Sequence, residues 1–156
     1  NDSLTFDGVF DFELLNADGT VLKRWSVHNK MTNASLAVIS GLVGNVDAQT
    51  AFTHAANGSS ATAVSASHTT LQSENSTNGL ARTTTTESRQ TITQTNDTLR
   101  FVASWTATGA GGTIEEVGIF NAGSSGTMLC RALTGTTTVA ATQVFNLTYN
   151  LKFVGN

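Results

Sequence analysis

A chain of 156 residues fits one domain, 1–156, with a hydrophobic core of its own. Only 12% of the residues are charged and the net charge is −3, so there is no basic footprint for nucleic acid or an anionic membrane. A single cysteine, Cys130, no proline and no apolar run near ~18 residues exclude an internal disulfide, a Pro-rich stalk and a membrane-spanning helix.

Folding without crosslinks suits a cytosolic origin. The first residue is Asn rather than Met, which implies residues trimmed or left out before it, and no signal peptide is visible. Thr, Ser, Asn, Gly and Ala fill the places that charged residues usually hold. The surface this implies is polar and nearly uncharged.

The first strands are legible from their period. Phe10, Phe12 and Leu14 alternate with Asp11 and Glu13, the pattern of a half-buried strand. Asn16–Gly19 supplies a turn, and Val21–Val27 is the return strand of a hairpin. Residues 1–7 precede the alternation and read as an N-terminal arm that orders on a partner surface.

One short helix is expected near 33–43, capped by Thr32 or Asn33 and ended near Gly41 and Gly44. Leu36, Ile39 and Val43 give it an apolar stripe. Its expected role is to plug one end of a β-sandwich. Ala51–Ala56 reads as a short strand ending at an Asn57-Gly58 turn. Residues 57–79 then read as a long surface loop with a helical turn near Leu71–Glu74, and such loops are usually functional or mobile.

From Leu80 on the chain reads as strand after strand. The Thr-rich stretch 83–95 is β-prone with little to bury, so it predicts a long, exposed or interface-facing strand. A turn at 95–98 leads to the alternation Leu99, Phe101, Ala103, Trp105, Ala107. Thr113–Phe120 and Thr127–Leu133 form a hairpin. In the last strand Phe145, Leu147, Tyr149, Leu151 and Phe153 share one face. The predicted fold class is all-β: an antiparallel two-sheet sandwich, jelly-roll or Ig-like, with the one helix. The predicted core is Phe101, Trp105, Phe120, Leu129, Phe145, Leu147, Leu151 and Phe153.

Adjacent glutamates at 115 and 116 raise the question of catalysis. A hydrolytic dyad needs two carboxylates facing one cleft. Neighbours on a strand face opposite sides, so this pair is not that dyad. One of the two must point inward. Either a bulge near Glu115–Glu116 turns it out, or it is buried against Arg131 or Arg100. His28, His54 and His68 lack metal-ligand spacing, and no nucleophile or phosphate-loop motif appears. The sequence thus predicts no catalytic, cofactor-binding or metal-binding residue, and no enzyme. The six N-x-[ST] sequons, at Asn1, Asn33, Asn57, Asn75, Asn96 and Asn146, are expected by chance in this composition.

The order of segments carries a resemblance. Asn29-Lys-Met-Thr-Asn33, Thr62–Ser65, Thr70–Leu71, Glu74, Ala81-Arg82, Ile114–Asn121 and Gly126–Arg131 follow one another across 28–153. In this the chain resembles small β-sandwich virion proteins of tailed bacteriophages, whose pattern includes "ARA" and "I-x-E-x-G-I-F-N…G-x-L-x-A-R". Here "ANGSS" stands for their glycine-rich "GTG", "HTT" for "DT", and "MLCR" for "LLAR". The resemblance implies a capsid decoration (cement) protein, bound outside the head as homotrimers and assembled in the host cytoplasm. Its partner would be the major capsid protein lattice or other virion proteins, with no nucleic acid and no membrane. A tail, baseplate or tail-fibre module is the alternative. A carbohydrate-binding module is a further one, with Trp25, Trp105 and Tyr149 as its candidate aromatics. The expected contact residues are Asn1, Asp2, Ser3 and Leu4 of the arm, and Thr83, Thr85, Glu87 and Arg89 of the Thr-rich strand.

Overall fold

The computed structural model describes residues 3–155. Among the described residues ten strands and one helix follow in the order β1 (Leu4–Leu15), β2 (Val21–His28), β3 (Lys30–Met31), α1 (Asn33–Gly44), β4 (His54–Gly58), β5 (Thr83–Thr84), β6 (Thr86–Gln90), β7 (Thr98–Thr106), β8 (Gly112–Phe120), β9 (Met128–Val139) and β10 (Val144–Gly155). They form two five-stranded sheets: sheet one in the order β2-β1-β10-β7-β6, sheet two in the order β3-β9-β8-β4-β5. All pairs are antiparallel, as expected for the sandwich.

Sheet one is organised by β10. Its register sets Tyr149 opposite Phe10 and Phe101, Leu147 opposite Phe12 and Ala103, and Phe145 opposite Leu14 and Trp105. The rings stack across the strands, with Phe10 and Tyr149 centroids 4.3 Å apart. Each such side chain stabilises the fold by roughly 1.5–3 kcal/mol through area removed from water. Ile114, Val117, Ile119, Leu129 and Ala132 close the core from sheet two. Cys130 is fully buried among them, and desolvation pushes its thiol up to about 12.

Several expectations need correction. From Leu4 on, the arm expected over 1–7 is strand, because Leu4–Asp7 pair with Gly155–Lys152 of β10 and Phe6 packs edge-on against Phe153 at 5.4 Å. Asn1 and Asp2 lie outside the described residues. Phe153 itself is 37% exposed and does not belong to the buried cluster, so it is not a core residue. Phe120 is buried, but in a separate cluster with Ala56, Leu71 and Met128.

The helix forms where expected and turns a different face inward. Its buried residues are Ser35, Val38 and Gly41, whereas Leu36 is 49% and Val43 85% exposed. The cap explains the rotation. Thr32 accepts the Ser35 N–H, while its own N–H and hydroxyl donate to carbonyls of Leu129 and Met128. That anchors the first turn on β9 and leaves the small residues as the close-packed face. Asn45, in the left-handed region at φ 51°, ends the helix.

Asn57-Gly58 is strand rather than turn, paired with Val117 and Glu116. The helical turn expected near Leu71–Glu74 does not form, because the N–H groups of Gln72 and Ser73 are held by Glu116. The long strand expected over 83–95 is two short ones. β5 belongs to sheet two, and after Thr85 the chain crosses into sheet one as β6. The strand stops at Gln90, where Asp97 gathers the N–H groups of Ile92, Thr93 and Gln94 into a loop. Those hydrogen bonds, that of Gln94 first, hold the Asp97 carboxyl well below the usual range.

Candidate interaction surface

The double glutamate resolves into two unlike sites. The pairing register of β8 against β9 shifts between Ile114 and Glu116, so a bulge sits at Glu115. Glu115 lies at the surface and accepts the Thr136 hydroxyl at 2.5 Å. Glu116 is fully buried on the outer face of sheet two, beside the fully buried Arg131. Arg131 Nε donates to Glu116 Oε2 at 2.6 Å. Of the two arginines considered from sequence, Arg131 is the partner, while Arg100 donates to Asn150 on sheet one. Bulge and burial therefore both occur, one glutamate each.

What covers Glu116 is the segment 59–82, here called the strap. Its Gln72 and Ser73 N–H groups donate to the two carboxylate oxygens at 3.1 and 2.7 Å. Leu71 fills the outer cluster beside Phe120 and Met128. Arg131 Nη1 lies 3.3 Å from Nδ1 of His68, and its Nη2 has no hydrogen-bond partner among the described residues. A second ion pair fastens the far end, where Arg82 meets Glu74 through both Nε and Nη2, at 3.0 and 2.7 Å. The same guanidinium lies 3.7 Å over the Phe120 ring and donates to the carbonyls of Ala122 and Ser125. Asn75 donates to Asn57 and to the Thr113 carbonyl, and Asn57 donates to the Leu80 carbonyl. The strap is a fixed outer layer.

Among the described residues no group of three or more His, Cys, Asp or Glu could hold a metal ion. His54 meets Thr53, His68 meets Arg131, and His28 lies 3.7 Å from Asp7. Of the candidate carbohydrate-stacking aromatics, Trp105 and Tyr149 are core residues. Trp25 is half-buried and donates its Nε1–H to the Thr134 carbonyl.

The expected contact residues fall in two places. Leu4 is 59% exposed at the start of β1, with Ser3 before it. Thr83 lies on β5 of sheet two, Thr85 in the crossing between the sheets, and Glu87 and Arg89 on β6, the outermost strand of sheet one. β10 and β7 stand between the two groups in the sheet order, so they are not one patch.

An apolar groove of about 250 Å³ that the sequence pattern does not predict lies between α1 and the end of the sandwich, lined by Ile39, Leu42 and Val43 with Phe52, Leu99 and Phe153. Its only sequence signal was an apolar helix with more large side chains than one buried stripe can use. No family model, curated protein or solved structure matches the chain.

Proposed function

We propose that the chain is a structural protein of a tailed-phage virion and, within that class, a decoration (cement) protein on the outer surface of the head. The observation that carries this reading is where the motif residues meet. Glu74, Arg82, Glu116 and Arg131, four charged positions shared with the phage pattern, close two by two into the ion pairs that fasten the strap. A motif whose charged members all hold one layer onto a sheet describes an architecture rather than a reaction. The likeness to the phage group therefore bears on how the molecule is built. The sparsely charged surface and the open strand edges suit broad contact with a lattice. The resemblance adds a trimer around local threefold positions. In this reading binding is selective for the assembled shell, and the shell gains stability by mass action.

The test is a micrograph of intact particles labelled on this protein, with heating of particles that carry it and particles that lack it. Label over the head and a higher melting temperature with the protein bound are expected. Label confined to the tail, with an unchanged melting temperature, transfers the chain to the tail, baseplate or fibre class.

A further inference from the structure

We propose that β6 is a docking edge for a second copy of this chain, the two copies joining by antiparallel β6–β6 pairing about a two-fold axis at Ser88.

β6 is the last strand of sheet one and, among the described residues, pairs only with β7. Thr86, Glu87, Ser88 and Arg89 are exposed. An open edge offers a row of backbone donors and acceptors to any extended segment, and proteins commonly guard it with inward-pointing charge. Glu87 and Arg89 have that placement. They stand opposite Phe101 and Leu99, on the face of sheet one that bears the core. Neither belongs to an ion pair among the described residues, and Glu87 accepts only the hydroxyl of Thr85.

The order of the charges selects the partner. In an antiparallel pair centred on Ser88, Glu87 of one copy lies directly opposite Arg89 of the other, and Arg89 opposite Glu87. Thr86 meets Gln90 at both ends. Opposite charges facing across a ladder stabilise it and like charges oppose it. A parallel pair would set Glu87 against Glu87 and Arg89 against Arg89. The other long edge of the sheet, β2, carries Lys23 and Arg24 and no acidic residue, so two copies paired along it have no opposite charges to match. β3 and β5, which end sheet two, are two residues each.

The seam also continues into the groove. Leu99 and Phe101, the β7 neighbours of Arg89 and Glu87, line it. A two-fold axis through an antiparallel strand pair stands perpendicular to the sheet. The grooves of both copies therefore open on the same side of the joined sheet, flanking the four charges. The contact makes pairs, where the phage resemblance implies trimers, and it needs no particle, so it stands apart from the virion reading.

Sedimentation velocity of the full chain over a wide concentration range tests it. A reversible monomer–dimer equilibrium that weakens with salt is expected. Glu87→Arg and Arg89→Glu should each weaken self-association by about tenfold or more, because two attractive pairs become two repulsive ones. An equimolar mixture of the two variants should associate again, the first bringing two basic residues and the second two acidic ones. The double variant Glu87→Arg/Arg89→Glu should also recover self-association. Four results overturn the proposal: a monomer at every concentration, a trimer as the limiting species, single variants that associate like the wild type, or a mixture that stays monomeric.

Discussion

The outer faces of the two sheets are built on opposite plans. Sheet one leaves its outer face to solvent and finishes it with short polar ladders. Arg24 meets Glu13, Ser104 meets Asn146, and Asn150 joins Arg100 to Asp11. Sheet two lays the strap over its outer face and buries Leu71, Phe120, Met128 and one complete ion pair beneath it. Charge on a bare face is hydrated and costs little to place or remove. Charge under the strap has lost its water, so each oxygen and each N–H must find a partner in the protein. Among the described residues Glu116 finds one for both oxygens, and Arg131 lacks one at Nη2.

The sharpest way to break this comparison is to remove one charge from each side of the bulge. Glu116→Gln strands Arg131 in a dry site and weakens the hold on Gln72 and Ser73. A loss of about 3 kcal/mol is expected, at the lower end for breaking a buried pair because Gln keeps an acceptor. Glu115→Gln, one residue away at the surface, should cost less than ~1 kcal/mol. Denaturant unfolding of both variants decides. Equal losses would mean that the strap does not exclude water from Glu116.

The next largest effect tests the strap without touching a charge. Gly58 has no side chain where the strap crosses β4. A Cβ there would fall on the Ser73 carbonyl and lie 2.6 Å from Glu116 Oε1. Backbone cannot swing aside as a side chain can, so Gly58→Ala should lift the strap and cost ~1–3 kcal/mol. Limited proteolysis should then cut within 59–82 before the sandwich unfolds. Protection unchanged from the wild type would show that the strap already rides free of β4.

The same contrast explains what could be read from the sequence. Sheet one alternates because one face is wet: Phe101, Ala103 and Trp105, or Phe145, Leu147 and Tyr149, mark their strands without help from the fold. Sheet two does not alternate, because both faces are covered. Residues 116–120 of β8 and 128–132 of β9 are buried without a break, which is why Glu116 looked misplaced among apolar neighbours. The strap that makes sense of it is Ser-, Thr- and Asn-rich and reads as surface loop. Its order comes from contacts distant in sequence, such as Gln72 with Glu116 and Asn57 with Leu80, that no local pattern announces. The helix fails in a similar way: its period was visible, while its rotation was fixed by Thr32 bonding to β9. The split of the Thr-rich strand between two sheets was also hidden, because each threonine suits an edge in either.

The smallest expected effect lies on the bare face and bounds the comparison from below. Asn150 accepts from Arg100 Nε at 2.9 Å and donates to Asp11 Oδ2 at 3.2 Å, so it joins three strands of sheet one. By bond count it resembles Asn57, which also makes two side-chain hydrogen bonds, to Leu80 and Asn75. The two differ in what replaces those bonds after truncation. Around Asn150 water reaches Arg100 and Asp11, so Asn150→Ala should cost no more than ~0.5–1 kcal/mol. Around the fully buried Asn57 no water reaches the Leu80 carbonyl, and Asn57→Ala should cost ~1–3 kcal/mol for the stranded acceptor. Measuring the two side by side separates the number of hydrogen bonds from their solvation. If Asn150→Ala proves as costly as Asn57→Ala, the polar ladder on sheet one is itself shielded, and the face taken here as bare must be covered by something outside the chain.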